Sequence, residues 1–251
     1  MLWRAFNSAA VACQWLGRLE ECRWYFEQAL AIAARAGNPD RTAFALTAVA
    51  DILITLGEWD NAEEQLARAT ALLGEERTAT AATVLVHCAG LALSLGRWEE
   101  AEQLLGDALA VAKRTGDRQM LEGANISLAE LEVLTGRPEE AVHRLAEQAG
   151  AEDAMLLVFS PLAWALLDTG AVERSPAVVS EGLRRARAEE QRVFLPDLLR
   201  VQGMVLTRQN RLEEAHAALQ EAQELARSLP YPYAEGRVLH ELGLNERARG
   251  G

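Results

Sequence analysis

Lysine is nearly missing from this chain: Lys113 is the one lysine among 25 basic side chains. It lies in Ala112-Lys113-Arg114-Thr115-Gly116, so no GxxxxGK[ST] phosphate loop exists. Only three cysteines occur, an odd number with no CxxC pair, which argues against a disulfide framework. Cys13 and Cys22 flank one turn, yet a reduced role as small hydrophobes at helix contacts is the expectation for both and for Cys88. No apolar run approaches the roughly 20 residues of a membrane span, and no leader pattern is read at the N-terminus. Aromatics make up 6% of the 251 residues, and alternating β-branched runs are nowhere sustained, so a strand-based fold is excluded. Cationic excess is also lacking. The net charge is −12, an acidic balance that repels phosphate backbones and argues against direct nucleic-acid binding.

What is abundant is alanine, leucine, glutamate and arginine, the usage of helices, and it is periodic. Gly17, Gly57, Gly96, Gly136, Gly170, Asn210 and Gly250 follow one another at steps of 40, 39, 40, 34, 40 and 40 residues. A small residue precedes each by seven positions: Ala10, Ala50, Ala89, Ala129, Ala163, Gly203 and Gly243. Another follows the first six by five positions: Cys22, Ala62, Ala101, Ala141, Ser175 and Ala215. A fixed period of this length means stacked supersecondary units that bury their faces only against neighbours.

Residues 41–74 show the unit. Phe44, Leu46, Val49, Ile52, Leu53 and Leu56 recur at helical spacing, Gly57-Glu58 breaks the pattern, and Ala62, Leu66, Ala69 and Leu73 line a second helix. The small positions let two helix axes approach, and a larger side chain fills the gap: Phe26, Leu66, Leu105, Leu145, Val179 or Leu219. Ala29, Ala69, Ala108, Gly182 and Ala222 share a further small slot, with Gln148 as its exception. Asn38-Pro39, Gly116-Asp117 and Pro230-Tyr231-Pro232 mark turns between units.

Small, Gly, small, large, small at these positions resembles the tetratricopeptide repeat across residues 1–251. The resemblance implies an all-α fold, a right-handed α-α superhelix of about six helix pairs plus one terminal helix. The expected single domain has units near 1–37, 38–77, 78–116, 117–152, 153–190, 191–230 and a truncated 231–251. The period of about 40 exceeds the usual 34, which predicts longer helices or loops, and only the Gly136–Gly170 step is short. Leu229-Pro230-Tyr231-Pro232-Tyr233-Ala234-Glu235-Gly236, followed by Leu239, Leu242 and Gly243, is similar to late repeats of large ATP-binding bacterial regulators that end in a LuxR-type DNA-binding domain. That likeness implies a cytoplasmic sensor or interaction domain whose nucleotide and DNA modules lie elsewhere. Since the seventh unit stops at Gly250-Gly251 and no polar cap precedes the first, the chain is expected to be part of a longer protein or to self-associate through its ends.

Chemistry finds little support. Glu20-Glu21, Glu99-Glu100, Glu139-Glu140 and Glu213-Glu214 each open a second helix, where the helix dipole favours acids; glycoside hydrolysis needs its two carboxylates on opposite sides of a substrate. His87, His143, His216 and His240 make no i, i+4 metal pair, and no GxSxG elbow suggests a nucleophile. No cofactor or metal is called for, and an enzyme is not expected.

Tetratricopeptide-like arrays bind partners on their first helices. Carried over, the candidate groove residues include Trp15 from unit one, Phe44, Thr47, Asp51 and Thr55 from unit two, and Glu130 from unit four. Trp164 and Asp168 come from unit five, Asp197, Arg200, Met204 and Arg208 from unit six, and Arg237 and His240 from unit seven. Acids (Asp51, Glu130, Asp168) occupy the middle and arginines (Arg200, Arg208, Arg237, Arg247) the C-terminal end, an arrangement that orients an extended partner's anionic end. Trp15 and Trp164 are candidate anchors, whereas Trp59 and Trp98 are expected to pack on neighbouring turns. The implied partner is a protein, a peptide or a small-molecule effector. A free-standing adaptor is the alternative, though one lysine cannot reproduce the lysine-asparagine clamp of co-chaperone arrays.

Overall fold

A computed structural model describes residues 2–74, 78–151 and 153–250. The expected unit ends at 77, 152 and 251 lie outside these residues. The described residues are helical, with no strand among them. The helices are α1 (Leu2–Trp15), α2 (Leu19–Arg35), α3 (Pro39–Thr55), α4 (Trp59–Leu73), α5 (Ala79–Ser94), α6 (Trp98–Thr115) and α7 (Arg118–Leu134). They continue as α8 (Pro138–Ala149), α9 (Phe159–Asp168), α10 (Ser175–Ala188), α11 (Leu195–Arg208), α12 (Leu212–Ser228) and α13 (Pro232–Gly250). Contacts gather into two compact units, 1–14 with 18–131 and 15–17 with 132–251, and the division falls inside α7.

The first five turn glycines perform the predicted job. Gly57 and Gly170 take φ of 76° and 81°, the left-handed region that ends a helix without a Cβ penalty, and Asn210 substitutes at 59°. Gly250 differs from the expectation: it is the last residue of α13 and continues the helix. The second helices then start on an unforeseen device. Arg18, Arg97, Arg137 and Arg211 are the residues before α2, α6, α8 and α12, and each pairs with the glutamate three positions on, Glu21, Glu100, Glu140 and Glu214. The doubled acids thus meet both the helix dipole and an arginine.

The notch residues are where the repeat demands them. Ala10, Cys22, Ala50, Ala62, Ala89, Ala101, Ala129, Ala141, Ala163, Ser175 and Ala215 are fully buried. In the first unit, Ala43 and Leu46 of α3 pack with Ala69 and Leu73 of α4, Ala81, Ala82 and Val84 of α5, and Val111 and Ala112 of α6. In the second, a Cβ added to Gly203 would stand 2.5 Å from Leu219 Cγ, so the large residue of α12 fills the notch of α11. Gly243 has the same phase but is exposed, because α13 has no following helix among the described residues. The long period is carried by helices of 14–18 residues through much of the chain. The short step comes from α8, of 12 residues, and α9, of 10, joined through a single 3-10 turn at Leu156–Val158.

Candidate functional site

The richest polar cluster in the second unit forms on three successive first helices, α9, α11 and α13. Trp164 of α9 has two guanidinium groups near its ring, Arg200 of α11 at 4.8 Å and Arg237 of α13 at 5.2 Å. Arg237 also lies 5.5 Å from the ring of Tyr233, one turn earlier on α13. Asp197 serves both cations: its Oδ1 accepts from Arg200 Nε at 3.1 Å and stands 3.6 Å from Arg237 Nη1. Arg200 Nη1 reaches Met204 Sδ at 3.2 Å, a weak acceptor, and the buried Nη2 has no acceptor. Asp168 at the end of α9 pairs with Arg208 at 3.6 Å.

Burial decides how these charges behave. Arg200 is only 2% exposed, so its surroundings and the nearby Arg237 cation press its proton affinity below the ordinary guanidinium value, against the pull of Asp197. Burial alone would raise the Asp197 carboxyl, but Arg237 and Arg200 outweigh it and hold that group below the usual carboxylate range. Desolvation raises Glu241, one turn beyond Arg237, with Arg200, His240 and Arg237 opposing. Asp168 is raised for the same reason, opposed by Arg208 and by the Trp164 indole.

The first unit presents a milder version on α1, α3 and α5. Asp51 Oδ2 accepts from Gln14 Nε2 at 2.7 Å, and Oδ1 lies 3.6 Å from His87 Nε2.

Among the predicted residues, Trp164, Asp168, Arg200, Arg208 and Arg237 gather in the second unit, with His240 exposed on the same helix as Arg237. Asp51 belongs to the first unit's cluster, and Glu130 is half-buried on α7. Trp15 ends α1 at 45% exposure. Three placements differ from expectation. Arg200 is enclosed, because Asp197 and the Trp164 ring draw it inward. Thr47 is fully buried and donates to the Ala43 carbonyl at 2.9 Å, so it lines no groove. Trp98 is 44% exposed and is not packed away behind its turn. Tyr233 and Glu241 were not anticipated, although both stand four residues from Arg237, a spacing that places them on its face of the helix.

The cysteines are reduced. Burial raises the Cys22 thiol, and raises Cys88 to about 11 against a weaker opposing bond with Thr70. The described residues contain no cluster of His, Cys, Asp and Glu able to hold a metal, and no helix among them is long and apolar enough to cross a membrane.

Residues 4–75 and 82–115 match two models of the tetratricopeptide repeat. Tetratricopeptide repeats are therefore matched within residues 4–75 and 82–115. The same helix-pair fold occurs in a Rap protein solved with competence and sporulation factor, at TM-score 0.68 and 13% identity over 98% of this chain and 75% of that one. The Rap conjugation gene regulator of plasmid pLS20, solved with the Phr* peptide, gives 0.67 at 12% identity over 98% and 74%. The apo form of RapI gives 0.58 at 9% identity over 99% and 98%. Identities this low establish the fold alone. No curated protein matches the chain in sequence.

Proposed function

We propose that this chain is a non-catalytic scaffold that binds a peptide, and that it serves as the cytoplasmic sensor or interaction domain of a bacterial transcriptional regulator. The observation that carries the reading is the pair of guanidinium groups on Trp164 above a shared Asp197. Tryptophan and arginine concentrate binding energy at interfaces, because they offer a wide apolar face together with directional donors. Here they sit on consecutive first helices, so an extended segment lying across α9, α11 and α13 meets Asp168 and Arg208 on one side and Arg237 and His240 on another. Two Rap proteins of similar fold were solved with a bound factor or peptide, which favours a peptide over a small metabolite as the occupant.

Binding is tested by selecting a displayed random-peptide library on the full chain. Selection should recover peptides, and Arg208→Glu with Arg237→Glu should abolish their binding in calorimetry while helical content by circular dichroism is unchanged. Equal affinity in the double variant rejects this face as the site. The regulator role is tested separately. A helix-turn-helix or P-loop module in the same reading frame supports it, and an isolated repeat chain favours an adaptor.

A further inference from the structure

Four positions before each turn, one side chain of the first helix lies in the core. Cys13, Leu53, Ala92, Leu166 and Leu206 hold that slot and all are buried. In α7 the slot holds Glu132, which is buried as well, at 1% exposure. Twelve positions after the turn, the second helices bury Ala29, Ala69, Ala108, Gly182 and Ala222. There α8 has Gln148, whose buried Nε2 meets no acceptor. The α7–α8 pair thus encloses a carboxylate and an amide where five other pairs enclose small or apolar groups, and unmet buried donors are costly. Its apolar anchorage is also short. In α8, a helix of 12 residues, Pro138, Ala141 and Leu145 are buried; in α4, of 15, they are Ala62, Leu66, Ala69 and Leu73. The division of the chain's contacts at 131/132 falls inside this same pair.

We propose that α7–α8 is a built-in opening point: α8 separates from α7 more readily than α4 from α3 or α12 from α11, and the Glu132–Arg144 pair is its latch. Arg144 Nε donates to both Glu132 oxygens at 3.1 Å, which ties the middle of α8 to the end of α7. A pair of this kind adds little net stability, because desolvation offsets most of its attraction. Losing one partner is a different matter, since the other charge is then stranded. The two ends of the latch are unequal in this respect. The Glu132 side chain is 2% exposed and depends on Arg144, whereas Arg144 keeps 26% exposure and can turn to water. Closed, the latch holds the helix in register; open, it leaves α8 with three apolar anchors. The device is independent of what the array binds.

Native-state hydrogen exchange on the full chain tests this at matched amides. Ala141 and Leu145 of α8 occupy the slots of Ala62 and Leu66 in α4 and of Ala215 and Leu219 in α12, and all six are buried, so static exposure cannot separate them. The α8 amides should exchange about tenfold faster or more, the mark of a local opening. Glu132→Leu with Arg144→Leu gives both slots apolar side chains and should slow α8 exchange about tenfold, with α4 and α12 unchanged. Arg144→Leu alone should speed α8 by a similar factor, while Glu132→Leu alone should not. Should Arg144→Leu fail to fold, the Glu132→Leu and double variants still decide the matter. Exchange in α8 as slow as in α4 and α12 overturns the opening point. Fast exchange that the double variant leaves unchanged, or equal acceleration by the two single variants, overturns the latch.

Discussion

Asp51 and Trp164 stand at the same place in their repeats, six residues before Gly57 and Gly170, and the two faces built around them behave differently. Asp51 is half-exposed and holds neutral Gln14 and a histidine. Trp164 lies between two arginines, one of them withdrawn from solvent almost entirely. Buried notches at the same repeat positions support both. A repeat therefore fixes where a side chain stands and leaves its chemistry to be chosen, and the site proposed for binding draws on the choices made in the second unit.

The comparison breaks most sharply at Arg200. Arg200→Ala should lower stability by about 2–5 kcal/mol, because a long side chain only 2% exposed is removed together with its contacts to Asp197 and the Trp164 ring. Asp51→Ala in the first unit should lose no more than about 1 kcal/mol, since its partners are partly solvated. Urea unfolding of each variant measures both, and equal losses would erase the distinction between the faces.

Packing should show no such asymmetry. Leu66→Ala in the first unit and Leu219→Ala in the second occupy one slot, and each should cost about 2–5 kcal/mol through the cavity left behind. Ala62→Leu should cost about 1–3 kcal/mol by forcing α3 and α4 apart. A Leu219 variant far more damaging than its counterpart would mean that the two units do not share a packing rule.

The smallest effects carry opposite signs. Burial raises the folded-state pKa of Glu241, so its charge burdens the fold fully above that value. The burden fades as pH falls toward the ordinary glutamate range near about 4.3. Glu241→Gln should thus raise Tm at neutral pH and change nothing in acid. Glu58 is lowered, first by its bond from Asn61 and, against some desolvation, by Arg23, so its contribution exists at neutral pH and disappears as pH falls through its folded value. Glu58→Gln should lower Tm slightly at neutral pH and have no effect in acid. Thermal melts followed by circular dichroism across a pH series test both directions.

The repeat was legible because its signal is steric and recurs. Gly17, Ala50, Ala62 and Leu66 each obey a local rule that sequence spacing alone exposes, and the structure places them at turns, notches and gaps accordingly. Gly243 and Gly250 satisfy the same spacing without the neighbour that gives the spacing meaning. The candidate cluster was half legible. Sequence phase put Trp164, Arg200 and Arg237 on first helices, but burial of Arg200 depends on Asp197 and on the Trp164 ring of another helix, which no single helix reveals. The pairing of buried Glu132 with Arg144 escaped notice for the same reason: it joins the end of α7 to the middle of α8.

The polar links between neighbouring pairs all span a similar distance along the chain. Arg23 meets Glu58 and Arg97 meets Glu63 in the first unit, while Arg187 meets Glu221 and Arg249 meets Glu213 in the second. Each joins adjacent hairpins only. One apolar approach is long-range, since a Cβ added to Gly17 would meet Leu229; under a pulling force that contact should part first, and the hairpins should then yield one at a time.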